Sequence, residues 1–423
     1  MKKKFIILSF DAVGNKDFIN LIKLPNFKEL KENSSYSNNV ESVYPSLTYP
    51  AHTSIATGKL PVNHWIINNI LIQPERKNPD WFWYKKQING STIYDIAKEK
   101  GLKTCTLLWP VTGKSKSIDL NIPEIFPNRK WQNQIMVSAL NGSPLFQAKI
   151  EKLYSHLRKG YEQPYLDNFT FNTLMYVLKN DLADFIMVHF TDTDTHKHIF
   201  GTKSNHISQS LKRHDKRLGE IISFLKENNI YDSSTLIALG DHSFKDAEYV
   251  IKLNNLFLKN DLIKLNSKNV IKEYDAYLNF CDGSAYVYVK NKYKIKMVYD
   301  LICNFSKENN NCIKNIISSE EAKKLGASDK CTFMLEANDN YYFINDYLGN
   351  TIEKTKGKHA IANHGYNPKD DNYKTIFFCK APNVKKNFDI GPIRLIDEGA
   401  TIFNMLGKVP SDIDGNILNS IFI

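Results

Sequence analysis

The segment FIMVHFTDTDTHKH (residues 185–198) contains the pattern that decides the fold. It starts with a six-residue apolar run and continues into polar residues, as expected of a strand that is buried on both faces. Four further runs share this pattern: FIILSF (5–10), TCTLLW (104–109), TLIALG (235–240) and KTIFFC (374–379). These five runs predict the buried strands of a central sheet.

Helical spacing fills long segments between these strands. Residues 205–229 place five apolar side chains on one helix face: Ile207, Leu211, Leu218, Ile222 and Leu225. Residues 394–407 have a similar pattern and end at Gly407, which is typical of a helix C-cap. Because strands and helices alternate, the sequence predicts an α/β fold with a largely parallel central sheet and helices on both faces.

The stretch from 246 to 356 differs from the rest of the chain in composition and in its hydrophobic pattern. It is rich in Lys, Asn and Tyr, has short alternating segments such as SAYVYV and NYYFIND, and has a helix signal from Ile316 to Leu325. The apolar strand pattern resumes after it. We therefore predict a catalytic core formed by residues 1–245 and 357–423, with an inserted α+β cap at 246–356.

The overall charge excludes few classes of partner. The 56 Lys and Arg outnumber the 45 Asp and Glu, which gives a net charge of +11 over 423 residues. This charge would suit an anionic partner, but Lys is spread thinly beside abundant Asn and Ile, so biased composition is the stronger explanation. The chain has no Arg-rich stripe, so specific binding to duplex nucleic acid is not expected. The six Cys form no CxxC pair, which indicates reduced thiols rather than a zinc finger or redox motif.

The N-terminus is predicted to be a strand and not a targeting segment. Its apolar run is six residues long and stops at Asp11, which is too short for a signal peptide. No run approaches the roughly 18 apolar residues of a membrane span. We expect a cytoplasmic protein if Met1 is the native start and a secreted one otherwise.

Acidic and His side chains follow several of the predicted strands. They are Asp11 after the first strand, Asp194 and His198 after the strand at 185–190, Asp241 and His242 after the strand at 235–240, and His364 after the cap. The carboxyl ends of parallel strands meet at one sheet edge, where bare carboxylates would repel one another. Two divalent cations would remove this repulsion, and mixed His and carboxylate ligands favour zinc, with manganese or iron as alternatives.

Each of these residues also has an ordinary structural interpretation. An Asp after a strand often caps the next helix, and a single His is usually a core or surface residue. Asp192 and His196 compete with Asp194 and His198 for the same role. The remaining His are interpreted as structural or surface residues: His52, His64, His156, His189, His206, His214 and His359.

Taken in order, several short motifs carry a family resemblance. They are FDAVG near the start, YPSLTYPAHTSIATG followed by HWIINN, WPVTG at 109–113, the Asp194-x-x-x-His198 pair, GDH at 240–242, NHGYNP at 363–368, and the closing LIDEGATIFNMLGKVPSDIDG. This ordered set resembles the nucleotide pyrophosphatase/phosphodiesterase family of the alkaline phosphatase superfamily. The resemblance implies an alkaline phosphatase-like core.

The resemblance also implies a role for each site residue. Thr48 would be the nucleophile, and it would complete a zinc site formed by Asp11, Asp241 and His242. Asp194, His198 and His364 would hold the second zinc. Asn69 would donate to a phosphoryl oxygen, and Tyr49 would stack on a substrate base, with a core role for Tyr49 as the alternative.

Three positions depart from the family pattern. Lys197 stands where Gly is usual in D-x-x-G-H, Ser243 replaces the Gly of D-H-G, and Ala51 precedes His52 where Asn is common. If those Gly positions need positive φ, Lys197 and Ser243 imply an altered local backbone. All the implied ligands are intact.

The predicted function is hydrolysis of phosphodiester or pyrophosphate bonds in small nucleotide-type substrates, through a phosphothreonine ester and with two divalent cations. One alternative is a phosphomonoesterase, phosphonate hydrolase or phosphomutase with the same metals and a different pocket. A second alternative is a catalytically silent scaffold that binds a ligand. The sequence does not distinguish among individual diesters.

Overall fold

The computed structural model describes residues 1–423. Its strands, in chain order, are β1 (Phe5–Phe10), β2 (Ser35–Glu41), β3 (Thr104–Leu107), β4 (Leu120–Ile122), β5 (Phe185–Phe190), β6 (Thr235–Leu239), β7 (Lys245–Ile251), β8 (Ile263–Leu265), β9 (Ile271–Tyr274), β10 (Ala276–Cys281), β11 (Ser284–Val289), β12 (Ile313–Ser318), β13 (Phe333–Ala337), β14 (Asn340–Phe343), β15 (Ile352–Lys354), β16 (Ala362–Asn363), β17 (Thr375–Lys380), β18 (Phe388–Asp389) and β19 (Ile393–Arg394).

The helices complete the element list. They are α1 (Asn15–Leu21), α2 (Pro25–Glu32), α3 (Thr48–Thr57), α4 (Pro61–His64), α5 (Ile93–Glu99), α6 (Gln134–Asn141), α7 (Pro144–Tyr154), α8 (Tyr165–Lys179), α9 (Asp192–Phe200), α10 (Asn205–Glu227), α11 (Leu253–Lys259), α12 (Ile295–Glu308), α13 (Ser319–Lys324) and α14 (Leu395–Met405). The two longest helical patterns of the sequence correspond to α10 and α14.

A nine-stranded sheet forms the centre of the molecule. Its order is β18-β2-β17-β6-β1-β5-β3-β4, with β19 also paired to β2. Strand β1 is parallel to β5 and β6, and β3 is parallel to β4 and β5. Strand β17 is antiparallel to both of its neighbours, so it alone runs against the others. The five predicted core strands all lie in this sheet.

Helices cover both faces of the sheet. Along β1, Ile6 and Leu8 belong to one apolar cluster, and Ile7, which points the other way, belongs to a second. The first cluster includes side chains of α1, α2, α8 and α10, and the second includes side chains of α3, α5 and α14. This arrangement confirms the predicted α/β class with helices on both faces.

The strands between Lys245 and Asn363 form smaller sheets of their own. One has the order β10-β11-β13-β12, one has β14-β7-β15 with β16 also on β7, and β8 pairs with β9. A separate apolar cluster lies among them, and it includes Tyr366 and Tyr373 from beyond residue 356. The division into a catalytic core, residues 1–245 and 357–423, and an inserted cap, residues 246–356, therefore stays a prediction.

One local expectation for this region was correct only in part. The stretch from Ile316 to Leu325 was expected to be helical, but β12 continues to Ser318 and α13 covers only Ser319–Lys324. The β-branched Ile316 and Ile317 extend β12 along β13, and Ser318 caps the helix by accepting from the N–H of Glu321.

None of the helices combines the length and apolar character that crossing a membrane requires.

Candidate active site

Three carboxylates converge at the carboxyl ends of neighbouring strands. Asp11 directly follows β1, Asp241 follows β6 after one glycine, and Asp194 lies in the first turn of α9, just after β5. Because β1 lies between β5 and β6, the three strand ends are adjacent. Asp11 is 2% exposed and Asp241 is fully buried. The topology thus produces the predicted convergence.

The first group of candidate ligands surrounds the Nε2 atom of His242. This atom lies 3.4 Å from Asp11 Oδ1 and 3.2 Å from Asp241 Oδ2. The hydroxyl oxygen of Thr48 lies 3.3 Å from it. Burial lowers the pKa of His242 to about 3, so the ring is neutral at pH 7, as a metal ligand must be.

The second group surrounds Oδ1 of Asp194. His198 Nε2 lies 3.4 Å from this oxygen and His364 Nε2 lies 4.0 Å from it. Ligand atoms of Asp11, Asp194 and His242 also lie within 4.8 Å of one another, so Asp194 connects the two groups. The structure therefore brings together every metal ligand predicted from the sequence.

The chemistry of this donor set fits two bound cations. Three buried carboxylate oxygens, Asp11 Oδ1, Asp194 Oδ1 and Asp241 Oδ2, have no hydrogen-bond donor. Burial raises the pKa of Asp11 well above its usual value, and the neighbouring carboxylates Asp241 and Asp194 raise it further. Unsatisfied oxygens and mutual repulsion are both relieved by a divalent cation between them. Asp11, Asp241, His242 and Thr48 would hold one cation, and Asp194, His198 and His364 the other.

The imidazoles of the second group affect the ionisation of Asp194. Burial alone would raise the pKa of Asp194, but His198 and His364 outweigh burial and hold this pKa below its usual value. In return, Asp194 outweighs the effect of burial on His198 and raises the pKa of His198. The ring of His198 is fixed by a contact of 3.1 Å between its Nδ1 and the carbonyl oxygen of Ala362. Its Nε2 therefore faces Asp194.

Thr48 is held at the positive end of a helix. It is the first residue of α3, where backbone N–H groups have no intrahelical acceptor, and it is 8% exposed. The ring of His52 donates from Nδ1 to the carbonyl oxygen of Thr48 at 2.8 Å, and its Nε2 lies 2.9 Å from the hydroxyl of Ser9. His52 is thus structural, as predicted, and it fixes the first turn of α3 to β1.

Asn69 presents a free amide group to the same space. Its Oδ1 accepts the backbone N–H of Tyr49 at 2.9 Å, which fixes the orientation of the amide. Its Nδ2 is left as a donor, and Asn69 lines the cavity that contains Thr48 and Asp11. The Asn69 amide is therefore available to donate to a group bound in the cavity.

Tyr49 does not occupy the predicted position against a substrate. Its ring is 0% exposed, its hydroxyl donates to the carbonyl oxygen of Glu124 at 3.1 Å, and it packs edge-on against Trp81 with the ring centroids 5.1 Å apart. It is not part of the cavity lining, whereas Trp81 is. The base-stacking role of Tyr49 is therefore corrected to a core role, because no face of its ring is free.

A cavity of about 540 Å³ opens onto the candidate ligands. The chemical end is lined by Asp11, Thr48, Asn69, Asp194, Thr195, His198 and His364. The remaining wall is largely apolar and includes the aromatic side chains of Trp81, Phe126 and Tyr161. Trp81 and Phe126 pack edge to face with their ring centroids 4.9 Å apart. The cavity therefore has room for an organic group beside the reacting centre.

A family model described as type I phosphodiesterase / nucleotide pyrophosphatase matches residues 5–367. The chain belongs to the type I phosphodiesterase/nucleotide pyrophosphatase family. This confirms the resemblance inferred from the sequence motifs.

Individual family members are similar over different lengths. Human ectonucleotide pyrophosphatase/phosphodiesterase family member 1 is 28% identical over 233 residues, which are 52% of this chain and 21% of the human protein. Venom phosphodiesterase CdcPDE from Crotalus durissus collilineatus is 24% identical over 417 residues, or 93% of this chain and 43% of the venom protein. The chain thus spans less than half the length of these curated relatives.

Solved structures of the family share the fold. Murine ectonucleotide pyrophosphatase/phosphodiesterase 5 matches with a TM-score of 0.68 and 18% identity, covering 100% of both chains. An inactive form of the murine protein, with a threonine-to-alanine substitution and in complex with AMP, matches with a TM-score of 0.67 and 18% identity over 99% of both chains. The alkaline phosphatase-like fold predicted from the sequence is confirmed.

In this member of the type I phosphodiesterase family, two departures from the usual pattern leave the backbone ordinary. Neither Lys197 nor Ser243 has positive φ, so the altered backbone expected at these positions is not present. Lys197 is helical and 3% exposed, and its ammonium donates to the carbonyl oxygen of Ala12 at 2.8 Å and to Asp17 at 2.7 Å. The Lys side chain therefore connects α9 to the turn after β1. Ala51 is buried within α3.

The structure separates Asp192 and His196 from the candidate ligands. Arg213 forms a two-pronged ion pair with Asp192, at 2.6 and 2.7 Å, and Arg217 lies 3.5 Å from the same carboxylate. His196 Nδ1 lies 2.9 Å from Asp192. Both carboxylate oxygens of Asp192 are thus already engaged by cationic side chains, which makes it a poorer candidate for a metal ligand than Asp194. Asp194 and His198 are the pair that faces the cavity.

We expect Asp192→Ala to destabilise the fold without affecting metal binding. The substitution removes the two hydrogen bonds from Arg213 and one of the two carboxylates beside the buried Arg217, and we expect a loss of about 1.5–3 kcal/mol, as for hydrogen bonds to charged groups. Urea unfolding measures the loss, and metal analysis of the folded protein should give the zinc content of the unsubstituted chain. Loss of zinc with unchanged stability would instead identify Asp192 as a ligand.

One residue beside the centre was missed by the sequence interpretation. His189, in the middle of the sheet, contacts Asp11 Oδ2 at 3.0 Å through Nε2 and Glu124 at 2.9 Å through Nδ1. Burial lowers the pKa of His189, but its hydrogen bonds to Asp11 and Glu124 outweigh burial and raise this pKa well above its usual value. His189 thus orients the candidate ligand Asp11. The sequence feature that could have indicated this role is a His inside an otherwise apolar strand.

Proposed function

We propose that this chain hydrolyses phosphodiester or pyrophosphate bonds in small nucleotide-type substrates, with Thr48 as the nucleophile. The observation that carries the proposal is the position of the Thr48 hydroxyl, 3.3 Å from His242 Nε2 at the positive end of α3 and on the wall of the cavity. A hydroxyl in that position can reach a phosphorus atom that lies among the candidate ligands.

Two bound divalent cations, zinc in preference to manganese or iron, would lower the pKa of the nucleophile and neutralise charge on the phosphoryl oxygens. The other contributions to catalysis come from residues of the chain. Asp11, Asp194 and Asp241 are held in place by their position at strand ends, and His189 fixes Asp11 from behind. The site is therefore organised before any substrate binds.

The first step forms a bond between Thr48 Oγ1 and phosphorus and breaks the bond to the leaving oxygen. The hydroxyl proton passes to solvent water, and the leaving oxygen departs with the electron pair of the broken bond, as a phosphate or as an alkoxide that takes up a proton from water. Asn69 Nδ2 donates to a phosphoryl oxygen, and the dipole of α3, whose positive end lies at Thr48, favours the added negative charge. The product of this step is a phosphothreonine ester.

Water completes the reaction by attacking the phosphothreonine from the opposite side. The bond between phosphorus and Thr48 Oγ1 breaks, and the side chain regains its proton. Because each of the two displacements inverts the configuration at phosphorus, we expect net retention. Measurement of the configuration with a chiral phosphorothioate substrate would distinguish this route from direct attack by water.

The cavity supports a substrate with an organic group on phosphorus. The space beyond Thr48 has Trp81, Phe126 and Tyr161 on its wall, and aromatic rings suit a planar base or another apolar group. The names of the family members and the AMP complex of the murine protein point in the same direction. A small phosphomonoester would leave most of this space unused.

Asn69→Ala should lower kcat by about 10²–10³-fold, because it removes one positioned donor to the charged oxygen of the transition state. Steady-state kinetics on a nitrophenyl phosphodiester measures the effect. Asn89→Ala is a suitable control, since the Asn89 amide donates to the carbonyl oxygen of Asn63 and does not line the cavity. Equal kcat for Asn69→Ala and the unsubstituted chain would remove Asn69 from the mechanism.

Parallel assays test the proposed substrate class. With zinc present, we expect kcat/KM for nitrophenyl thymidine monophosphate to exceed that for nitrophenyl phosphate by about 10²-fold or more, since binding energy from the organic group is used in the transition state. The reverse order would favour the phosphomonoesterase alternative. No turnover of either compound, together with no bound zinc or manganese, would favour the silent scaffold.

A further inference from the structure

A turn from the inserted region reaches the candidate metal centre. Strands β10 and β11 pair so that Cys281 is opposite Ser284, which leaves Asp282 and Gly283 as the connecting turn. Asp282 has a left-handed backbone, with φ of 57°. Its side chain is 15% exposed and faces His364. A residue far from the core strands in sequence thus lies beside a candidate ligand.

The turn is fixed to the segment that contains His364. The N–H of Gly283 donates to the carbonyl oxygen of His364 at 2.8 Å. Gly365 has φ of 79°, and a Cβ atom there would lie 1.8 Å from the carbonyl oxygen of Cys281, so only glycine allows this approach. The backbone of the turn therefore cannot move away from His364 without breaking these contacts.

The side chain of Asp282 is fixed as well. The Asn363 amide donates to Asp282 Oδ1 at 3.0 Å, while the Oδ1 atom of Asn363 accepts the backbone N–H of His364 at 3.0 Å. This leaves Asp282 Oδ2 directed at the His364 ring, 4.0 Å from Nδ1. A movement of about 1 Å would bring the two atoms to hydrogen-bond distance.

The ring of His364 needs such a partner. Its Nε2 faces Asp194, and its buried Nδ1 has no hydrogen-bond partner. His198, in the same group, already has one, because its Nδ1 contacts the carbonyl oxygen of Ala362. A metal-bound imidazole generally donates its second N–H to a carboxylate or a carbonyl oxygen, which fixes the ring and makes it a stronger ligand.

We propose that Asp282 is a positioning residue of the metal centre, whose carboxylate accepts a hydrogen bond from Nδ1 of His364 and holds Nε2 toward the cation shared with Asp194 and His198. This inference rests on the proposed function. It assigns the inserted region a part in metal binding in addition to any contact with substrate. The inserted region and the core then contribute to one centre.

The substitution Asp282→Asn tests the inference with little change in shape. Asn adopts a left-handed backbone readily, so the turn is retained, while the negative charge is lost. Asp261→Asn is the matched control, because Asp261 is also in the inserted region, has φ of 56° and is exposed. Zinc affinity of each full-length variant is measured by competition with a chelating dye, and the cobalt(II) spectrum reports the coordination of each site.

Asp282→Asn should weaken one of two zinc sites by about 10–100-fold and shift the spectrum of one cobalt equivalent. Asp261→Asn should leave both properties unchanged. Asp282→Glu, which keeps a carboxylate, should bind zinc more tightly than Asp282→Asn. Two zinc sites of undiminished affinity in Asp282→Asn, or equal losses in the Asn and Glu variants, would overturn this inference alone. An unsubstituted chain that binds no zinc would overturn the proposed function together with it.

Discussion

Thr48→Ala should lower kcat/KM for a nitrophenyl phosphodiester by at least about 10⁴-fold, because it removes the atom that bonds to phosphorus. Of the four side chains that would hold the first cation, the other three, Asp11, Asp241 and His242, remain in place without this hydroxyl. The methyl group of Ala fits the space of the Thr side chain, which is buried at the start of α3. Zinc content and melting temperature should therefore stay close to those of the unsubstituted chain.

Two controls separate nucleophilic attack from a general effect on α3. Thr53→Ala changes the same residue type in the same helix, at a hydroxyl that has no hydrogen-bond partner, and it should retain activity. Thr48→Ser keeps a hydroxyl and should retain measurable turnover. Near-normal activity of Thr48→Ala would exclude the phosphothreonine route.

Removal of metal by EDTA should abolish turnover, with a loss of more than about 10³-fold, and zinc should restore it better than magnesium. Without cations, Asp11 and Asp241 lie buried beside one another with oxygens that have no donor. When the free cation concentration is 100 to 1,000 times the Kd, binding stabilises the folded state by about 2.7–4.1 kcal/mol. The melting temperature should therefore fall on chelation and recover with zinc.

The effect of EDTA should depend on the candidate ligands themselves. Asp241→Asn, which removes one carboxylate charge from the first group, should reduce the rise in melting temperature that zinc produces. Asp167, Asp192 and His214 form another group with the spacing of metal ligands, but its carboxylates are already paired with Arg213 and Arg217. A substitution in this group should therefore leave the rise in melting temperature with zinc unchanged. Full activity after EDTA treatment, in protein with no measurable metal, would contradict the metal-dependent mechanism.

The sequence was sufficient to predict the fold and to select candidate ligands that the fold brings together at one sheet edge. The short apolar runs are strands because they are buried on both faces, and the polar residue that ends each run lies at the sheet edge. Asp11 and Asp241 illustrate this, since each directly follows such a run and they meet through the pairing of β1 with β6. The order of strands in the sheet was not needed, because parallel neighbours place their carboxyl ends on the same side.

The choice between Asp192 and Asp194 required the structure. Both residues follow β5, and spacing alone gives each an imidazole four residues later. Only the fold shows that α10 brings Arg213 to Asp192, which pairs that carboxylate and leaves Asp194 facing the cavity. A tertiary contact between separate helices thus decides which carboxylate is available.

Long-range contacts also explain what the sequence could not show about Tyr49 and Asp282. Tyr49 follows Thr48 directly, yet Trp81 packs against it and takes the place on the cavity wall. Asp282 belongs to a turn more than eighty residues before His364 in the chain, and no periodicity connects the two. Such pairs depend on contacts between segments that are distant in the sequence, and a short-range pattern cannot show those contacts.

Anomalous diffraction from crystals grown with zinc tests the central claim most directly. The account predicts two zinc peaks about 4 Å apart at the carboxyl ends of β1, β5 and β6. One should be bound by Asp11, Asp241 and His242 next to Thr48, and the other by Asp194, His198 and His364. Data that show no zinc at this edge, or zinc bound only by other residues, would contradict the account.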